Sequence, residues 1–303
     1  MKSLTIFSAP KPFTDPHIAT IQRNAIHSWC MLGDQVEVIL VGDEEGMAET
    51  ARELGVNHLS GVACNDQGTP LVSSIFSLAR QNSTSPLLAY VNADILVLSD
   101  FLSMSLKMQS LAKEFILVGQ RWDLEILTGM DFSNDWEKRF RQSILERGKL
   151  HPPAGSDYFI FPRSCYQEIP DFAIGRAGWD NWMIYQARRQ GWLAVDATRS
   201  ITIAHQQHDY AHLPGGKPHY KLPETDENIR LAGGHEITRF SLLDVNRRLV
   251  AGILRKRNWN GDTFRRYIET FPLLVFNNYR LTQMITSFFQ RFKQKANRSG
   301  AEK

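Results

Sequence analysis

The chain has 303 residues, 43% hydrophobic and 22% charged, with a formal net charge of +3. That length buries a full core in one large domain or two modest ones, and the composition excludes a disordered or fibrous chain. Cys30, Cys64 and Cys165 are odd in number and far apart, which argues against a disulfide framework and for a reducing compartment.

In chain order, residues 4–7 predict a first strand, not a signal peptide, and the loop Ser8-Ala9-Pro10-Lys11-Pro12 leaves it. Ile18, Ile21, Ala25, Trp29 and Leu32 recur at helical spacing, closed by Gly33. Residues 37–41 form a buried strand ending in Gly42-Asp43-Glu44-Glu45; a short helix over 46–54 stops at Gly55, and 56–59 give a third strand. Leu71, Ile75, Leu78 and Ala79 mark the next helix. It leads into an apolar run, 87–91, of the kind a strand shows when both faces are covered. Asn92 and Asp94 follow, two apart, before a second apolar run at 95–98. Residues i and i+2 of an extended strand share a face, so these two side chains can present oxygens to one point, a hard site suited to Mg2+ or Mn2+. The plainer alternative is that Asp94 ends the strand and bonds a turn. Strands alternating with helices predict an α/β fold with a mostly parallel open sheet, helices on both faces, and the ligand loops along one edge.

Beyond 100 the pattern predicts a helix over 101–111, a strand over 115–119, an Arg121-Trp122-Asp123 loop, and a helix carrying Trp136, Phe140 and Ile144. The segment His151-Pro152-Pro153-Ala154-Gly155-Ser156-Asp157 breaks regular structure before an aromatic strand over 158–161. Residues 175–181 read as a loop opening a helix that runs to Gly191, with later strands at 192–195 and 201–204. The expected division is a domain over 1–250 and a basic helical extension over 251–303.

Ala79-Arg80-Gln81-Asn82 followed by Tyr90-Val91-Asn92-Ala93-Asp94 resembles the nucleotide-sugar glycosyltransferases of GT-A fold, family-two-like members among them. Gly155-Ser156-Asp157 before an aromatic strand, Gly178-Trp179-Asp180-Asn181 before a helix, and His205 after a strand agree with it. The resemblance covers about residues 4–235 and implies an inverting, metal-assisted transfer of a sugar from a nucleotide-diphosphate donor to a glycan or lipid-linked acceptor, in polysaccharide biosynthesis. It implies that Ser8, Ala9, Pro10 and Asp43 contact the nucleoside and that Arg80 lies near the diphosphate. Asp94, with Asn92 and His205, would bind the Mn2+ or Mg2+. Asp180 would be the catalytic base, with Asp157 the second candidate and otherwise an acceptor-binding or loop-ordering residue; Trp179 would stack on a sugar. Asn92 stands where the family's metal motif has its first acid, which motivates a second reading, a non-catalytic sugar-nucleotide-binding protein. For Asp180 the competing role is a helix N-cap, for Arg80 a helix-end contact to carbonyls, and for Trp179 simple burial.

His205, His208, Asp209 and His212 allow a third reading, a zinc hydrolase, although Tyr210, Pro214, Gly215 and Gly216 favour a loop. His208, Asp209 and Tyr210 are otherwise candidate acceptor contacts. Glycine-rich loops of NTPase or dehydrogenase type are absent from the sequence. From Gly252 onward eleven Lys/Arg against three acidic residues leave a local +8 and the remainder at −5. That pattern fits an anionic surface such as a membrane better than nucleic acid, with a solvated tail as the alternative. Leu281, Met284, Ile285, Phe288, Phe289 and Phe292 share one face of a basic helix suited to docking on the parent domain, a partner or a membrane. No run is apolar enough to span a bilayer, and the expected location is cytoplasmic, with peripheral membrane contact possible through this helix.

Overall fold

The apolar runs of the first half become adjacent parallel strands. In the computed structural model, which describes residues 1–207 and 222–300 with side chains to residue 291, β1 (Leu4–Ser8) lies between β2 (Val36–Val41) and β4 (Leu87–Val91), parallel to both. β3 (Asn57–Leu59) closes that edge beside β2. On the other side β9 (Tyr158–Pro162) runs antiparallel to β4 and to β6 (Phe115–Val118). Beyond β6 lie β10 (Leu193–Arg199) and β12 (Arg247–Val250), both parallel, and an antiparallel edge strand β13 (Ile253–Lys256). The order is β13-β12-β10-β6-β9-β4-β1-β2-β3.

Both faces are covered, as the unbroken apolar runs require. In β4, Leu88 and Tyr90 join one core while Leu87, Ala89 and Val91 join the other. The first core packs against α3 (Val72–Gln81) and α6 (Trp179–Arg189), the second against α1 (Pro16–Cys30), α2 (Met47–Leu54) and α4 (Ser99–Leu111). Asp15 caps α1 by accepting from the Ile18 amide at 2.8 Å, with Pro16 as the first helical residue.

Three features depart from the expected pattern. A second sheet, β5-β11-β7-β8, forms from β5 (Ile95–Val97), β7 (Trp122–Leu124), β8 (Lys149–Leu150) and β11 (Ile203–Gln206), and packs on α5 (Trp136–Arg147). Three-residue strands paired to segments a hundred positions away carry almost no local signal. Secondly, α6 begins at Trp179, inside the stretch expected to be loop. Gly178 is its N-cap at φ +110°, a conformation glycine supplies, so Asp180 is a first-turn residue and not the cap. Thirdly, the β12–β13 hairpin straddles the expected boundary at 250, so 251–256 belong to the main sheet. After it come α8 (Gly261–Phe276) and α9 (Tyr279–Gly300), preceded in sequence by α7 (Pro223–Ala232).

Among the described residues no helix is long and apolar enough to cross a membrane.

Candidate functional site at the β1–β4 switch point

Chain order moves outward from β1 to β2 and β3, then returns to β4 on the other side of β1. Ligands of open α/β sheets bind where that reversal occurs, beyond the carboxyl ends of the strands. Ser8 ends β1 and Asn92 follows the end of β4, so both lie at this point. The Ser8 hydroxyl is fully buried and has no hydrogen-bond partner among the described residues. Ala9 is half-buried and Pro10 buried beside it. Gln22 holds the following Lys11 by both backbone groups, accepting from its amide at 2.7 Å and donating to its carbonyl at 3.0 Å.

The turn after β4 delivers Asp94. The Ile95 amide donates to the Asn92 carbonyl at 3.1 Å, and β5 then pairs with β11 so that His205 stands opposite Ile95. On its other side β11 places His205 opposite Asp123 of β7. The small sheet thus sets an imidazole between two carboxylates: His205 Nε2 is 3.6 Å from Asp94 Oδ2, and Nδ1 is 3.6 Å from Asp123 Oδ1. Arg121 ties Asp123 to the main sheet, donating from Nε to Asp123 Oδ1 at 2.9 Å and from Nη1 to Asp157 Oδ1 at 2.8 Å. His151 Nδ1 lies 2.7 Å from Asp123 Oδ2. Asp157, just before β9, closes the circuit, accepting from the Asn92 side-chain amide at 3.1 Å and offering its backbone carbonyl to the Asn92 amide at 2.9 Å.

Three carboxylates, Asp94, Asp123 and Asp157, gather around His205; Arg121 pairs with the latter two and Lys11 lies near the first, so with a neutral imidazole the carboxylates outnumber the cations. Burial opposes charging of His205, but Asp94 outweighs it and the imidazole pKa is raised. For Asp123, burial would raise the pKa, yet His151 and Arg121 hold it below the usual carboxylate value. Burial lowers the pKa of Lys11, an effect that nearby Asp94 partly offsets. Asp180 is lifted by burial, against the backbone amides of Asn181 and Gly178, and Asp157 adds to the lift.

Asp94 and His205 suit two ligands of one hard cation. Ligands about 2.1 Å from an octahedral ion stand about 3 Å apart, a small side-chain movement from what is seen. Among the described residues no three His, Cys, Asp or Glu side chains gather as a ready-made metal site, so an ion here would complete its shell from substrate or water oxygens.

Other expected site residues are placed elsewhere. Asn92 donates its side-chain N–H to Asp157, a bond that orients the amide without using the carbonyl oxygen expected to face a metal. Arg80 lies at the opposite end of β4, where its guanidinium donates to the carbonyls of Arg163, of Cys165 at 2.8 Å and of Tyr166 at 2.9 Å. Five strand residues, about 16 Å, separate it from Asn92, so it is not beside a diphosphate at this edge. Trp179 is buried against Tyr90, Phe159 and Phe76, with ring centroids 5.1, 5.4 and 6.4 Å away, and is a core residue with no face left for a sugar. Asp43 is at the correct edge, but its carboxylate accepts from the amides of Gly61 at 2.9 Å and Val62 at 3.2 Å and so orders the next loop. His208, Asp209, Tyr210 and His212 lie outside the described residues. Arg121, Asp123, His151 and Lys11 carried no expected role. The signal available was the i, i+2 pair Arg121/Asp123, which repeats the Asn92/Asp94 spacing.

No protein-family model and no curated protein sequence matches the chain. Its structure is similar to that of glucosyl-3-phosphoglycerate synthase from Mycobacterium tuberculosis in complex with Mn2+, UDP and phosphoglyceric acid, with 13% identity and a TM-score of 0.43 over 68% of this chain and 72% of that one. It is also similar to a mannosyltransferase from Pyrobaculum calidifontis in complex with GDP-Man and Mn2+, with 14% identity and a TM-score of 0.45 over 69% of this chain and 58% of that one.

Proposed function

We propose that the chain is a nucleotide-sugar glycosyltransferase that moves a sugar from a nucleoside-diphosphate donor to a hydroxyl of a glycan or lipid-linked acceptor, in polysaccharide biosynthesis. The observation that carries this reading is the acidic cluster at the switch point, with Asp94 and His205 side by side in it. A surplus of carboxylate charge would repel a diphosphate alone and suits a diphosphate that arrives with Mn2+ or Mg2+. The ion, when bound, offsets the negative charge that grows on the departing diphosphate.

The chain's own residues divide the remaining work. Asp94 and His205 would hold the ion, while Arg121 fixes Asp123 and Asp157 around them. Lys11, whose ammonium feels Asp94, adds a cation on the donor side. Ser8, Ala9, Pro10 and the Asp43 loop line the edge where the nucleoside would lie. Asp157 is committed to Asn92 and Arg121, which leaves Asp180 as the better base. Its raised pKa suits a group that takes the acceptor hydroxyl proton as that oxygen bonds to the sugar and the diphosphate leaves, with inversion.

Calorimetry with UDP and GDP, with and without Mn2+, tests the donor site. Mn2+-dependent binding of one nucleotide is expected, with at least a tenfold loss of affinity in Asp94→Ala. No nucleotide binding under any condition overturns the reading. Binding without turnover of any sugar nucleotide would favour the non-catalytic alternative, which the amide at Asn92 motivates.

A further inference from the structure

The C-terminal helices leave apolar surface uncovered. α9 meets the body through a polar seam: Thr282 and Thr286 are buried, the Thr286 hydroxyl lies 3.3 Å from Glu236 Oε2, and the Tyr279 hydroxyl accepts from the Glu236 amide at 3.4 Å. Ile285 and Phe289 are half-buried, while Leu281, Met284 and Phe288, at i, i+3 and i+7, are exposed. The apolar face read from the sequence is therefore split, and part of it points to solvent. α8 and the residues before it carry an aromatic ladder in which Trp259, Tyr267, Phe271 and Phe276 follow one another at ring-centroid distances of 5.4, 5.7 and 5.7 Å. Trp259, Phe264 and Phe276 are each more than half exposed, and Val275 is exposed beside them.

Charge decides what covers this surface. Arg255, Lys256, Arg280 and Arg291 are exposed around it, and Arg257 sits 5.0 Å over the Trp259 ring. Of the acids within residues 252–291, Glu269 is buried and paired to Arg266, which leaves Asp262 exposed. The sequence continues the trend with Lys293, Lys295 and Arg298. A second copy of the chain, docked by a two-fold axis, would set this basic surface against itself. An anionic bilayer offers opposite charge to the Arg and Lys heads and an interfacial layer to the Trp, Tyr and Phe rings.

We propose that the α8–α9 hairpin, led by Trp259, Phe264, Phe276, Leu281 and Phe288, is a docking surface for an anionic lipid bilayer. The proposal does not rest on the sugar-transfer reading, although it would bring the site to a lipid-linked acceptor.

The test is co-sedimentation of the full chain with phosphatidylcholine vesicles, with and without phosphatidylglycerol. Binding is expected only when phosphatidylglycerol is present, and it should fall at least tenfold as salt rises from low to physiological strength. The triple substitution Trp259→Ser, Phe264→Ser, Phe276→Ser and, separately, Arg255→Glu with Lys256→Glu should each lower partitioning more than tenfold with circular dichroism unchanged. A blue shift of tryptophan emission on anionic vesicles, lost in Trp259→Phe, would place that ring in the interface. No partitioning, equal partitioning onto phosphatidylcholine alone, or undiminished binding by both variants overturns the proposal. So does a dimer in sedimentation velocity without lipid that the triple substitution dissolves, because the surface would then belong to a second copy.

Discussion

At Asp180 two roles compete for one carboxyl group. The side chain accepts from the Gly178 amide at 3.3 Å, so it helps satisfy the start of α6, while burial and Asp157 lift its pKa. A lifted carboxyl binds its proton more tightly in the native state than in the unfolded chain, whose value is about 3.9. Between those two values the native state holds the extra proton, and stability falls as pH rises through the window. Above it the penalty persists in full. Asp180→Asn keeps an oxygen for the Gly178 amide and removes the charge, so its melting temperature should exceed wild type at neutral pH. The gain should vanish at a pH below both values. Donor binding should be unchanged by calorimetry, whereas transfer should fall by about 10²–10⁴, the range for a lost general base. Transfer at the wild-type rate would leave Asp180 a helix-start residue alone.

The elements differ sharply in how far the sequence reveals them. The strands β1, β2, β4, β6 and β9 are apolar runs buried on both faces, so composition alone marks them, and their order places the ligand edge. β7 and β8 have three and two residues and gain their identity only on pairing, whereas β5 and β11 fall on the apolar runs at 95–98 and 201–204. Asp94 and His205 were legible as candidates because they follow or sit in apolar strands. Asp123 was not, because what brings it to His205 is the register of β7 on β11. Arg80 shows the reverse error: its place in a familiar-looking segment suggested a ligand role, yet position at the end of α3 puts it at the wrong edge. There its hydrogen bonds to the carbonyls of Arg163, Cys165 and Tyr166 fasten the chain after β9 onto the end of α3. Arg80→Ala should cost about 1–3 kcal/mol in denaturant unfolding by leaving those carbonyls under-satisfied. Nucleotide affinity, measured in the same preparation, should stay within twofold of wild type.

On the scale of the whole molecule, the acidic body and the basic C-terminal hairpin are joined by a buried ionic cluster. Arg266 of α8 holds Asp244 by two bonds, Nε at 3.0 Å and Nη2 at 2.9 Å, and holds Glu269 by Nη1 at 2.9 Å, with all three side chains nearly inaccessible. Asp244 belongs to the short 3-10 turn just before β12, so the cluster fixes α8 to the main sheet. The composition shift near residue 250 was visible in the sequence, but a charge boundary need not be a structural one, and here the hairpin and the cluster cross it. Removing Arg266 takes from Asp244 the guanidinium it is bound to and leaves Glu269 with only Arg265, 3.6 Å away. Arg266→Ala should therefore cost about 3–5 kcal/mol, the range for breaking a buried pair by taking one partner. The loss should fall first on α8 and α9, whose other contacts to the body include the polar seam at Tyr279, Thr282 and Thr286, the Arg189 bond to the Leu274 carbonyl and apolar contact through Leu273 and Leu274. Hydrogen exchange is expected to show faster exchange across 261–291 with protection of β1, β2 and β4 retained, and vesicle binding should fall with it. Uniform loss of protection would mean instead that the hairpin and the sheet fold as one cooperative unit.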